Sequence, residues 1–342
     1  MARPTIADLA RAAGVGVSTV DRVLNGRDPV RRPTAERVLA AAEQIGFHAT
    51  GVIRQRLGAD KPERTLGFIL QQRSMPFYAR LGDALAEATK ASPLMRGRPK
   101  LDFLDDLTPD AVAERLAKLG KDVDAIALVA ADHPKATQAI DRLHADGVPV
   151  FALISDLSAP NRAGYVGLDN WKVGRTAAWA VANLCREPGP VGIFVGSHRY
   201  RCQEACEMGF RSYFREHAPG FHLLEPRTSL EDVRYAYENT LDLLRREPGL
   251  VGLYVAGGGV EGVIQALRDE GAYARVVTVG LDLTDATRSA LIDGVMRLVL
   301  SHPFERVATT VVEAMARAVE RGGQGSAQQI LLPFEIFTPE NV

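Results

Sequence analysis

Four side chains near the amino terminus, Val17, Ser18, Asp21 and Arg22, are spaced to share one exposed face of a helix. An arginine so placed can donate two hydrogen bonds to the O6 and N7 edge of guanine, and a serine can donate or accept. The short polar groups of Thr19 and Asn25 beside them suit phosphate oxygens, which fix register without reading sequence. A second kind of chemistry sits at the ends of apolar runs. Ser155 and Asp156 follow residues 148–154, while Ser197, His198 and Arg199 follow 191–195, and Asp282 and Thr284 follow 276–279. Convergent hydrogen-bonding groups with an aromatic ring over C–H surface suit a sugar or polyol, and Phe77 and Tyr78 supply the ring. Each has a plainer alternative. Asp156 also suits a turn cap, Arg199 a solvated loop charge, and Phe77 or Tyr78 a core position, while His198 fits either role.

Catalytic chemistry finds little support. Gly257-Gly258-Gly259 lies between a strand and a helix, where free N–H groups can cradle an anion. It lacks the spacing of a dinucleotide fingerprint and the Lys-Ser/Thr of a phosphate loop, so a tight turn or close backbone approach is the cheaper account. Cys185, Cys202 and Cys206 form no Cys-x-x-Cys pair, and neither His-x-x-x-His nor Gly-x-Ser-x-Gly occurs. No metal or cofactor is expected, and the chain does not read as an enzyme.

Residues 1–46 predict three short helices to carry the first face. Thr5 caps the first, with Asp8 completing a capping box, and Ile6, Leu9, Ala10 and Ala13 point inward until Gly14. The second buries Val20, Val23 and Leu24 and stops at Asn25-Gly26. The third starts near Pro33, buries Val38, Leu39, Ala42 and Ile45, and ends at Gly46. Two helices joined by a tight turn and braced by a third make a helix-turn-helix module. Thr50 is placed to cap a further helix over 50–57, too short to persist alone in water; a flexible linker is the alternative. From Thr65 the pattern becomes strand-then-helix, with apolar strands at 66–70, 125–129, 148–154, 165–168, 191–195, 251–255 and 276–279. Continuously apolar strands alternating with helices argue for parallel sheets covered on both faces, with ligands at the strand carboxyl ends.

The 342 residues are 46% hydrophobic and 24% charged, ordinary for folded protein and long enough for two or three folding units. Residues 1–58 hold nine arginines, no lysine and five acids, so they carry +4 and leave −5 for the rest. A basic head on an acidic body directs one end toward phosphates. Three cysteines make no disulfide framework, and no apolar run approaches the roughly 18 residues of a membrane span. A cytoplasmic protein with no membrane association is the expectation.

The head resembles that of the lactose-repressor family of bacterial transcription regulators. The likeness rests on Thr5-Ile-Ala-Asp-Leu-Ala-Arg-Ala-Ala-Gly-Val15, Ser18-Thr-Val20, Arg22-Val-Leu-Asn-Gly26 and Thr34-Ala-Glu-Arg-Val-Leu-Ala-Ala-Ala-Glu-Gln-Ile-Gly-Phe47. The remainder resembles, more loosely, that family's periplasmic-binding-protein-type sensor, through Pro76-Phe-Tyr78, Val166-Gly-Leu-Asp-Asn-Trp-Lys-Val-Gly174, Gly209-Phe-Arg211 and Val279-Gly-Leu-Asp282. The resemblance implies a helix-turn-helix domain over 1–48, a hinge helix and linker over 49–62, and a two-lobed α/β effector-binding and dimerisation domain over 63–342. It further implies a homodimer, or a tetramer, on a palindromic operator, acting as a repressor controlled by a sugar or polyol between the lobes. The alternative is a soluble carbohydrate-binding protein with no regulatory role.

By position, Val17, Ser18 and Arg22 would then face the major groove and Thr19 and Asn25 the backbone, with Thr5 and Asp21 in the same DNA-facing set. Thr50, Val52, Ile53, Arg54, Arg56 and Leu57 would belong to a hinge helix entering the minor groove. Phe77, Asp156, Asp282 and His302 fall near the family's effector contacts, and Gln203 is the best polar candidate in the stretch before Gly209. Three departures stand out in the head and hinge. Gly16 replaces the family's capping serine, a loss of only about a few tenths of a kcal/mol. Asp21 replaces a serine and cannot donate to phosphate; it either orients Arg22 or accepts from cytosine N4. Arg56 stands where the family places a wedge leucine, so either Leu57 takes the wedge role or Arg56 reads the narrow groove. In the body, Cys206 replaces the family's arginine before Gly-Phe, and the Gly257-Gly258-Gly259 run replaces its Asn-Asp, which argues against an ordinary pentose or hexose.

Overall fold

In the computed structural model, which describes residues 4–25, 30–59, 61–323 and 325–342, the chain forms two compact units. One comprises Met1–Arg64 with Ser92–Gly97, the other Thr65–Ala91 with Arg98–Val342.

In the first unit, helix α1 (Ile6–Ala13) opens on a capping box in which Thr5 and Asp8 satisfy each other's backbone N–H, and it closes on Gly14 at φ +62°. Helix α2 (Val17–Asn25) begins with the Gly16 carbonyl accepting from Thr19 and Val20; the expected stop at Gly26 lies outside the described residues. Helix α3 (Arg32–Gln44) carries Pro33 in its first turn. Leu9, Ala10, Ala13, Val20, Val23, Val38 and Ala42 form the core, while Ile6, expected inward, is 37% exposed.

Helix α4 (Thr50–Ala59) completes this unit. Thr50 does not cap it as an acceptor: its hydroxyl donates back to the Phe47 carbonyl at 2.5 Å. Ile53 is fully buried in the three-helix core and Leu57 is packed against it. That burial supplies what a ten-residue helix lacks in isolation.

The second unit takes in β1 (Glu63–Gln71) from Thr65 on, α5 (Pro76–Ala91), β2 (Arg96–Leu104) from Arg98 on, α6 (Pro109–Leu119), β3 (Ala125–Leu128), α7 (Pro134–Ala145), β4 (Val150–Leu153) and β5 (Gly164–Leu168). The chain then passes through α8 (Asn170–Leu184), β6 (Pro190–Val195), α9 (Arg201–His217), β7 (His222–Leu223), β8 (Arg227–Thr228) and α10 (Val233–Arg246). After these come β9 (Gly252–Val255), α11 (Val260–Asp269), β10 (Val277–Leu281), α12 (Asp285–Ile292), β11 (Leu298–Ser301), α13 (Phe304–Glu320), β12 (Gln328–Leu332) and β13 (Glu335–Phe337). They form two sheets, one ordered β12-β5-β4-β3-β1-β2, the other β13-β11-β10-β9-β6-β7 with β8 also on β6. Pairings from β12 through β1, and from β11 through β6, are parallel; β13 runs antiparallel to β11. Each sheet has its own apolar cluster, so the unit is two-lobed. The chain crosses between lobes three times, after β5, β11 and β12, which ties them without fusing their cores. Parallel pairing sets the carboxyl ends of the strands of each lobe along one edge.

Candidate functional site

The face of α2 is assembled as the spacing required. Val17, Ser18, Asp21, Arg22 and Asn25 are exposed and Thr19 is half-buried. Arg22 Nε donates to the Ser18 carbonyl at 3.3 Å, and its terminal nitrogens make no hydrogen bond among the described residues. Asp21 does not orient Arg22. It accepts instead from Asn25 Nδ2 at 2.6 Å, one turn on, where the reach of a short amide matches the helical rise. Thr5 is exposed, but its hydroxyl is engaged with Asp8, donating at 2.7 Å and accepting at 3.3 Å.

The expected hinge set divides. Val52 is 42% exposed, and Arg54 is paired with Glu43 at 2.5 Å on the surface. Ile53 is no surface contact, because α4 turns its apolar side onto the core; Leu57 follows it one turn later. Arg56 is half-buried, with Nη1 enclosed and without a hydrogen bond among the described residues.

In the second unit, the strand ends of both lobes surround a cavity of about 100 Å³. Phe77, Tyr78, Gln203, Asp282, Thr284 and His302, all singled out above, line it. Asp282 sits at φ +63°, just beyond β10, and its Oδ1 accepts from the His302 backbone N–H at 2.9 Å and lies 2.7 Å from His302 Nδ1. A carboxylate only accepts, so this geometry places an imidazole proton on Nδ1; in the neutral ring Nε2 is then an acceptor. His302 is 5% exposed and its Nε2 has no partner. Phe77 stands edge-on to the imidazole with centroids 5.7 Å apart.

Three residues placed at strand ends lie elsewhere. Asp156 does not line this cavity: Arg162 grips both its oxygens at 2.8 and 3.0 Å, and the Leu157 N–H caps it. His198 is 53% exposed and faces Glu207 at 3.5 Å. Arg199 borders a neighbouring cavity, with its carbonyl accepting from the Asp132 N–H. In all three the strand end is right, but a local partner or the loop beyond the strand turns the side chain away.

Glu231 was invisible in the sequence. It follows the two-residue strand β8 in a loop without hydrophobic periodicity, at φ +56°. Its carboxylate accepts from Gln203 Nε2 at 2.8 Å and the Gly258 N–H at 2.9 Å, while Gln203 Oε1 accepts from Gly196 and Ser197 N–H at 2.6 and 3.1 Å. Burial raises its pKa, against the opposing pull of those donors. The glycines are explained here. A Cβ at Gly258 would stand 2.0 Å from Glu231 Oε2, one at Gly196 1.6 Å from Oε1, and one at Gly257 2.3 Å from the Gly196 nitrogen. The glycine run therefore serves close approach. Ile154, Glu231 and Asp282, three of the four described non-glycine residues with positive φ, all line this cavity. Such strain persists only where the surroundings impose it, and it clusters at ligand sites.

Both lobes contribute walls, and hydrogen bonds bridge them. Tyr78 donates to Gln71 Oε1 at 2.9 Å, Gln71 Nε2 donates to the Tyr200 hydroxyl at 2.7 Å, and Cys202 N–H donates to Ser155 Oγ at 3.4 Å. Burial lifts the Tyr78 phenol far above its usual range and pushes the Cys202 thiol up to about 12. Among the described residues, no cluster of His, Cys, Asp and Glu suits a metal ion, and no helix is long and apolar enough to cross a membrane.

A two-lobed α/β body with a cavity at its strand ends, and a helical unit presenting an arginine-bearing helix, define the class: a helix-turn-helix head and a two-lobed α/β body in one chain. Comparison with known proteins makes this specific. Residues 5–50 match the model of bacterial regulatory proteins of the lacI family, and 66–324 match that of the periplasmic binding protein domain. By the match that spans most of its length, the chain belongs to the periplasmic binding protein domain family, and its head matches the lacI family of bacterial regulatory proteins. It is 42% identical over 91 residues to the maltose regulon regulatory protein MalI of Escherichia coli, covering 27% of this chain and 26% of that one. It is 30% identical over 201 residues to the HTH-type transcriptional regulator MalR of Streptomyces coelicolor, covering 57% and 54%. The chain thus spans about half, or less, of these curated relatives. An ABC transporter solute binding protein from Burkholderia graminis, in complex with D-arabinose, superposes with a TM-score of 0.75 at 18% identity, covering 82% of this chain and 97% of that one. One from Agrobacterium vitis, bound with α-D-tagatopyranose, gives 0.74 at 18%, covering 81% and 95%. At that identity the likeness is one of fold.

Proposed function

We propose that this chain is a DNA-binding transcriptional regulator, a cytoplasmic repressor whose operator affinity is set by a small hydroxylated effector held between the two lobes. The observation that carries the reading is the exposed face Val17, Ser18 and Arg22 on the second helix of a family-matched head, with Arg22 free to meet a base edge. A homodimer on a palindromic operator is the geometry such heads require, because one α2 reads only one half-site.

The effector site in this reading is built from Phe77, Tyr78, Gln203, Asp282, Thr284 and His302, to which Glu231 and Tyr200 are added and from which Asp156, His198 and Arg199 are removed. Bridging of the lobes by Gln71 and Tyr200 gives the ligand a hinge to bias, and a ligand shifts an equilibrium only by its differential affinity for the two arrangements. In the hinge, Val52 and Arg54 are the residues available to a minor groove while α4 is docked. The test is footprinting of the DNA upstream of its own gene at fixed salt, with and without hydroxylated metabolites handled by neighbouring genes. A footprint that one of these shifts supports the reading. A footprint indifferent to all of them, or none, counts against it.

A further inference from the structure

The cavity is rich in hydrogen-bond acceptors. Among the described residues that line it there is no lysine and no arginine, but there are three carboxyl groups, Glu231, Glu261 and Asp282. His302 Nε2 is buried and unpartnered, and in the neutral imidazole that gives Nδ1–H to Asp282 it is an acceptor. Glu261 Oε2, in the first turn of α11, is likewise buried without a partner. Of the two tyrosines, Tyr78 has already given its proton to Gln71, while Tyr200 accepts from Gln71 and keeps its own proton to give. Buried acceptors left unmet are costly, and a site built this way favours the ligand that brings the missing donors.

Building on the hydroxylated-effector reading, we propose that the effector carries a protonated amine: an amino sugar or amino-cyclitol whose ammonium group is received by the acceptor wall of Asp282, His302 and Glu261. An ammonium brings three donors and one positive charge into a cavity lined by three carboxyl groups and by no lysine or arginine. A carboxylate or phosphate would meet like charge with no cationic side chain to answer it. Phe77, edge-on to the imidazole, covers the ring carbons while the polar wall takes the amine.

The experiment measures binding of matched probes to the intact chain by calorimetry, at a pH where the amines are protonated. The probes are glucosamine and an amino-inositol, their N-acetylated forms, the parent glucose and inositol, and the corresponding uronic acid and inositol phosphate. The amine of at least one pair is expected to bind about tenfold or more tightly than its parent and its N-acetyl form, a difference of the size one well-placed charged contact makes. In the isosteric variant Glu261→Gln that preference is expected to shrink toward unity. Equal binding of amine and parent, or preference for the acid or phosphate, overturns the charge assignment and leaves the hydroxylated-effector reading standing. Binding of no probe of any arm overturns both.

Discussion

Gln71 and Tyr200 meet across the two lobes, with the Gln71 amide donating to the tyrosine hydroxyl at 2.7 Å and both side chains buried. Gln71 closes β1 in one lobe and Tyr200 precedes α9 in the other, so this bond reports directly on their separation. Tyr200→Phe removes the acceptor and strands a buried amide donor. The expected cost is about 1–3 kcal/mol, read as a lower denaturation midpoint in a urea melt with unchanged slope. An unchanged midpoint would mean that the lobes do not depend on this bridge.

The glycine run offers a sharper contrast. Gly258→Ala places a methyl group 2.0 Å from Glu231 Oε2, which must then move, whereas Gly249→Ala meets nothing within 4 Å. The first substitution is expected to destabilise by about 1–3 kcal/mol and to abolish effector binding, the second to leave both within about 0.5 kcal/mol. Equal tolerance of both would show that Glu231 is not seated as described.

The head makes its own prediction. Ile53 is fully buried, so Ile53→Ala should cost about 2–5 kcal/mol in the melting of the helical unit, while Val52→Ala at an exposed position should cost little. If the two substitutions are equally mild, α4 is not docked on the core in solution.

Thiol chemistry tests burial of the cavity wall by a different route. Burial pushes Cys202 up to about 12 and Cys185 up to about 11. At pH 8 only about one Cys202 in ten thousand would be thiolate, since each unit below the pKa costs tenfold. Iodoacetamide labelling of the folded chain should therefore be slow and should rise about tenfold per pH unit through pH 10 without a plateau, until urea exposes the thiols. Rapid labelling of Cys202 at neutral pH would contradict an enclosed wall.

The sequence carried the architecture wherever a segment's own pattern decided its place. The capping box at Thr5 and Asp8, the left-handed Gly14 and the run Leu66–Leu70 are local features, and each is found as read. Strand β2 escaped because it alternates charged and apolar residues, as an edge strand can, and lacks the continuous apolar run of a covered one. Asp282 and Asp156 were picked by one rule, a polar group ending an apolar strand. The rule located both backbones but could not foresee that Arg162, six residues on, captures Asp156. Glu231 had no local signal, since its position is fixed by Gly196, Gly258 and Gln203 from distant segments. Ile53 was misplaced for the same reason, because the core that receives it comes from the three preceding helices.

Arg22 carries the central claim. The decisive measurement titrates the intact chain and Arg22→Ala, at one salt concentration, with duplex from the chain's own upstream region and with duplexes mutated one base pair at a time. The account predicts that the wild-type chain discriminates at one G·C position by about 1–3 kcal/mol and that Arg22→Ala loses that discrimination while keeping the rest. Equal affinity of both proteins for every duplex, unrelated sequence included, would contradict it.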